Sequence, residues 1–186
     1  MGRSTLGRDY DIGRFIEDFR RRISALERRL LGLAYLTPEF TAVQAARVTR
    51  NAVQSIGHNA LTAIAFNAEV FDPTGMHDNA VQNTRITIAV DGYYEVGANV
   101  EMAQAADYTR IIVAIRVNGG NQIVFSQNNP VPVNLAQRYA VSTMMQFVAG
   151  DYIEAEVLHQ NGAGVARNLN LTGDYSPIFY AARIGS

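Results

Sequence analysis

Among residue types that do chemistry, the 186-residue chain offers histidines and carboxylates but no cysteine. Without a thiol there is no disulfide, no thiolate nucleophile and no cysteine-ligated zinc or iron–sulfur centre. His58, His77 and His159 are far apart in sequence, with no pair at the i, i+4 spacing by which a helix presents two imidazoles to zinc, so each reads as a surface or loop residue. Asp72 and Asp78 flank Gly75, but the alternating carboxylates of a calcium loop are missing and a turn is the better reading. Gly162 and Gly164 lack the third glycine and following helix of a dinucleotide-binding turn, and read as a hairpin tip. No Gly-x-Ser-x-Gly nucleophile elbow occurs. Paired carboxylates remain: Glu154 and Glu156 share one strand face, as do Glu95 and Glu101. Such pairs can hydrolyse glycosidic bonds once a fold brings them together, but alternating charge on a strand is ordinarily its solvated side. The expectation is therefore no catalytic residue, no cofactor and no metal. Nine tyrosines with many Asn and Gln would suit a polar binding surface, and would suit ordinary strands equally.

The elements that would position these residues are mostly strands. From Phe40 onward apolar residues recur every second position. Residues 60–71 place Ile64, Phe66, Ala68 and Val70 on one face, and 84–90 place Ile86, Ile88 and Val90 inward. In 92–102, Tyr94, Val96, Ala98, Val100 and Met102 oppose Tyr93, Glu95, Asn99 and Glu101. Further runs lie at 109–117, 121–126, 138–148, 151–159 and 177–184, separated by turn signals such as Asp91-Gly92, Asn118-Gly119-Gly120 and Gly150-Asp151. Short strands at this spacing, with no helical pattern among them, predict an antiparallel sandwich or barrel. The 177–184 run and the 138–148 run, with Met144 and Met145, are apolar on both faces, which predicts a second buried face and hence a subunit interface.

Ahead of the strands the period is 3.5. Ile12, Ile16, Phe19, Ile23, Leu26, Leu30 and Leu33 are spaced alternately four and three apart, an unbroken heptad seam. The stripe is narrower than that of a helix lying on its own domain. Arg22 at g and Glu27 at the following e are the pair that meets across chains of a parallel coil. Arg22-Ile23-Ser24-Ala25-Leu26-Glu27 also resembles a signature of parallel trimeric coils. Seven seam residues cannot offset the ordering entropy of roughly two dozen residues, so the helix would set register for chains that also associate through the domain behind it. Gly32 and Thr37-Pro38 predict its end.

Sixteen basic against seventeen acidic residues leave a net charge of −1, without the basic excess of an electrostatic nucleic-acid binder. No run reaches the length of a membrane span or of a signal-peptide core. All sixteen basic residues are arginine, which fits a GC-rich coding sequence more simply than a demand for bidentate pairing.

Over residues 38–185 the order of landmarks resembles the trimeric jelly roll of complement globular heads and the tumour necrosis factor family. The landmarks are Phe40, Ile64-Ala65-Phe66-Asn67, Phe71 to Gly75, Asp91-Gly92-Tyr93-Tyr94-Glu95-Val96, Val148-Ala149-Gly150-Asp151-Tyr152-Ile153, and a closing strand Ile178 to Ile184. Asp91 stands where the family has proline. The lysine-free heptad ahead of a small β domain resembles minor tail proteins of tailed bacteriophages with GC-rich actinobacterial hosts. Together these resemblances imply an all-β, antiparallel jelly-roll sandwich with an N-terminal coiled-coil helix, assembled as a homotrimer. Residues 1–11 would be an anchoring arm to other virion proteins, 12–36 a parallel trimeric coil, and 38–186 the head. The expected role is a non-enzymatic virion appendage on the tail, with a host-surface glycan or protein as receptor and neither nucleic-acid binding nor membrane insertion. The alternatives are a capsid decoration or cement trimer and a tail-associated glycan-cleaving enzyme.

Overall fold

The computed structural model describes residues 12–34, 43–132, 134–171 and 177–186, which form one helix and twelve strands. The expected arm, 1–11, lies outside the described residues, as do 35–42. The chain divides into two compact units between Thr41 and Ala42. The first contains α1 (Ile12–Ala34), whose last described residue precedes Pro38, before which a helix must stop. No described helix is long and apolar enough to cross a membrane.

The second unit contains two five-stranded antiparallel sheets. The first runs in the order β4 (Ala68–Phe71), β1 (Ala45–Thr49), β12 (Ile178–Gly185), β6 (Gly92–Met102), β9 (Gln137–Phe147). The second runs β3 (Thr62–Ala63), β10 (Tyr152–Asn161), β7 (Tyr108–Val117), β8 (Gln122–Asn128), with β5 (Arg85–Thr87) also on β10. A small ladder joins β2 (Ser55–Ile56) to β11 (Arg167–Asn168). Period-two alternation makes each long strand two-faced. In β6, Tyr94, Val96, Ala98, Val100 and Met102 enter the core, and in β7 Ile111, Val113 and Ile115 meet them from the other sheet. Phe66 stacks on Phe179 at 5.4 Å between ring centroids, and Tyr94 meets Phe147 edge-on at 6.1 Å. The Tyr94 hydroxyl donates to Val90 O at 2.7 Å, so the buried ring leaves no polar atom unpaired. Between β7 and β8, Asn118 and Gly119 both have positive φ, as the tight hairpin turn requires.

Two strand expectations change. Residues 60–71 alternate as predicted through Ile64 and Phe66, which are buried, but they are not one strand. They cross from the second sheet, where β3 pairs β10, to the first, where β4 pairs β1, and Val70 and Phe71 finish exposed. Over the crossing, side chains satisfy backbone groups that lack a ladder: Gln54 donates to Ala63 O and accepts from Ala65 N, and Arg50 donates to Ala65 O and Val53 O. In 84–90, only Arg85–Thr87 pairs as a strand, and Val90 is exposed.

Candidate functional site

The helix carries the first candidate surface. Ile16, Phe19, Ile23 and Leu26 form one stripe along α1 and are all exposed in the single chain, Phe19 at 57% and Leu26 at 60%. The side chains of Ile12, Leu30 and Leu33 lie outside those described. Phe15, not part of the predicted seam, stacks on Phe19 at 6.4 Å and widens the stripe. Arg22 pairs with Asp18 within the helix at 3.1 Å, and Arg22 and Glu27 are exposed, as is every described side chain of α1.

The second candidate is the outward face of the first sheet. Register sets three rows across β12, β6 and β9: Ile178–Asn99–Ala140, Tyr180–Gly97–Ser142 and Ala182–Glu95–Met144. Small side chains on β6 and β9 leave a groove of about 610 Å³, roofed along one side by Tyr180 with Arg47 and Phe71 beyond it. Tyr180 donates to Glu95 Oε1 at 3.0 Å. Its own pKa is raised, first by burial and then by that carboxylate. Met144 stands 71% exposed beside the groove, and Ile184 is exposed on the same sheet. These are the positions whose two-sided apolar pattern predicts a second covered face.

The outward face of the second sheet holds the carboxylates. Glu154 and Glu156, expected on a solvated face, are buried, because their strand neighbours fold guanidinium groups over them. Arg116 bridges the pair, donating to Glu154 Oε2 from Nε at 2.9 Å and Nη2 at 2.8 Å, and reaching Glu156 Oε1 from Nη1 at 3.0 Å. Glu154 Oε1 also accepts from the Thr84 hydroxyl at 2.7 Å and meets Arg85 Nε at 3.5 Å; Arg85 in turn lies over the Tyr152 ring. Burial pushes the Glu154 pKa up, but these donors and cations outweigh it and the net shift is downward. Glu156 has fewer partners. Its Oε2 is buried and closes no hydrogen bond of good geometry, although the Gln122 amide lies alongside and acts against the shift. Burial therefore wins, with the Glu154 charge adding to it, and the Glu156 pKa is raised. Glu101, expected exposed, is likewise covered, held by Arg138 at 3.0 Å and by the Asn170 amide. Of the four carboxylates only Glu95 is exposed.

Of the histidines read as surface or loop residues, His159 is instead on strand β10, and His77 lies in a loop as expected but is buried. His159 is 0% exposed, with Nε2 at 3.0 Å from Ile56 O, and burial lowers its pKa. His77 is buried between two carbonyls, Arg85 O at 2.6 Å from Nδ1 and Phe66 O at 3.0 Å from Nε2. Both serve to tie loops to strands, a role that no local sequence signal marks. His58 is exposed as expected. Asp72 accepts from the Met76 and His77 amides, and Asp78 from Ala80 and Val81, so both carboxylates close turns. Among the described residues no group of three or more His, Asp or Glu gathers to hold a metal. Gly162 and Gly164 sit in the turn after β10, where Gly164 N donates to Asn161 O.

The two-sheet order invites comparison with solved structures. The globular domain of zebrafish complement 1qA protein superposes with a TM-score of 0.57 at 14% identity, over 76% of this chain and 97% of that one. Eiger TNF from S. frugiperda superposes at 0.55 with 12% identity, over 77% and 94%. The fold is a complement-head and tumour-necrosis-factor-like jelly roll. No protein-family description matches the chain, and no curated protein matches it in sequence. At 12–14% identity the likeness is one of fold, and within this chain Gly92 opens β6 and Gly150-Asp151 lead into β10.

Proposed function

We propose that this chain is a non-enzymatic binding module that assembles as a homotrimer, α1 aligning three jelly-roll heads on one axis. The observation that carries this reading is the outward face of β12, β6 and β9. It presents a groove lined by Ala140, Ser142, Ile178 and Ala182 beside an exposed Met144 and Ile184, apolar surface that a chain working alone would leave in water. Folds of this kind commonly associate as trimers. The exposed stripe on α1 supplies a second apolar surface in the separate unit, and a heptad of Ile and Leu with flanking charge suits a parallel coil.

Arg116 speaks against glycoside hydrolysis at the Glu154–Glu156 pair. Its guanidinium sits between Glu154 and Glu156 and bonds both, filling the space that a scissile glycosidic bond would need between an acid and a nucleophile.

The setting we propose is the virion of a tailed bacteriophage, at the tail rather than on the capsid shell, with residues 1–11 meeting other virion proteins and the heads meeting the host surface. Three weak sites on one axis bind a repetitive surface with avidity. Gold-labelled antibody to the head, imaged on intact virions, tests the setting. Label at the tail supports it, label spread over the shell transfers the protein to a decoration role, and unlabelled particles remove it from the virion. Host cell-wall glycan incubated with the full chain should release no reducing ends.

A further inference from the structure

The row Glu156–Ala114–Phe125 crosses β10, β7 and β8 on the outward face of the second sheet. Ala114 is fully covered yet stands apart from the core cluster between the sheets, as an outward methyl beneath longer neighbours does. On one side of it Phe125 stands 61% exposed; on the other Glu156 is 2% exposed, with one carboxyl oxygen that closes no hydrogen bond of good geometry and has only the Gln122 amide alongside. Arg116, Asn121, Gln122 and Leu61 complete a groove of about 600 Å³.

A buried acceptor left unpaired costs free energy that a donor from a ligand recovers. Glu154, its strand neighbour, has both oxygens occupied, so the vacancy at Glu156 is particular to the groove. The charges narrow the ligand. Two guanidinium groups, Arg85 and Arg116, balance two carboxyls. A cation entering here meets Arg116, an anion meets Glu156, and neither gains net charge compensation. What fits is a neutral molecule with hydroxyl donors on one edge and an apolar face on the other. One hydroxyl would donate to Glu156 Oε2, others would pair with the Asn121 and Gln122 amides, and the apolar face would lie on the Phe125 ring. The Gln122 side chain, which lies against the carboxyl, is the group that an arriving hydroxyl would displace.

We propose that this groove is a binding site for a neutral saccharide, with Phe125 as platform and Glu156 as hydroxyl acceptor. The site gives the binding role proposed above a ligand class and rests on that reading for its purpose.

Saturation-transfer NMR on the full chain, with N-acetylglucosamine trisaccharide and maltotriose as probes and spermidine as the cationic control, tests it. At least one trisaccharide should receive saturation, and affinity should fall roughly tenfold in Phe125→Ala and in Asn121→Ala, both exposed positions whose replacement leaves the core untouched. Three results would overturn the site: no transfer to either trisaccharide at about 10 mM, transfer unchanged in both variants, or binding of spermidine in their place. A parallel measurement of labelled chain on host cells separates the two claims. Adhesion by a chain that binds neither trisaccharide sinks the site and leaves the adhesive role standing, while trisaccharide binding without cell adhesion sinks the role and leaves the site.

Discussion

The ring of Tyr180 on β12 lies over Gly97, its cross-strand partner on β6, so closely that a β-carbon at position 97 would come within 2.5 Å of two ring carbons and the hydroxyl oxygen. Glycine there is required by this approach, and the ring's position shapes the groove beside it. Gly97→Val should displace Tyr180 and destabilise the head by about 1–3 kcal/mol in urea unfolding. Much of that loss should return in the Gly97→Val, Tyr180→Ala double variant, because the two side chains compete for one space. Additive losses would show that the close approach is not the cause.

Ala140 and Ser142 line the same groove and face away from the core. Ala140→Arg should leave the unfolding midpoint of the separated chain within about 0.5 kcal/mol and yet abolish association in sedimentation. A variant that associates normally would move the interface off this sheet.

Leu26 sits in the middle of the exposed helical stripe. Leu26→Asp should weaken assembly at least tenfold, about 1.4 kcal/mol, with the circular dichroism of the β body unchanged. If assembly is unaffected, α1 serves another partner.

The two buried glutamates should respond to pH with opposite signs. Each has a reference carboxyl pKa of 4.5. The folded pKa of Glu154 is lowered, so its stabilisation is present above 4.5 and is lost as pH falls through the lower folded value. That of Glu156 is raised, so its contribution is present below 4.5 and is lost as pH rises through the higher folded value. Urea unfolding from pH 3 to 8 should therefore show Glu154→Gln losing ground to the parent as pH rises, reaching about 3 kcal/mol at neutrality, and Glu156→Gln gaining ground. Parallel curves for the two variants would contradict the asymmetric partnering around Arg116.

How much of this was legible in the sequence follows from what period-two alternation reports. It reports facing, so β6 and β7 turn into the core the residues that the alternation predicts. It does not report pairing. The 60–71 run looks continuous because Ile64 and Phe66 keep alternating while the backbone passes between sheets, and only Gln54 and Arg50, distant in sequence, reveal the crossing. Two-residue strands such as β2 and β11 are too short to carry a period at all. Glu154 and Glu156 were placed on the outward face correctly, but their burial depends on Arg116 from β7 and on Thr84 and Arg85 from the segment entering β5. Facing is local and covering is not. The groove at Phe125 was invisible for the same reason, being assembled by register across three strands.

The central claim is that three copies cover what one leaves exposed. Light scattering on the full chain at micromolar concentration tests it most directly: the account predicts the mass of three 20.4 kDa chains, and a steady mass of one chain would contradict it.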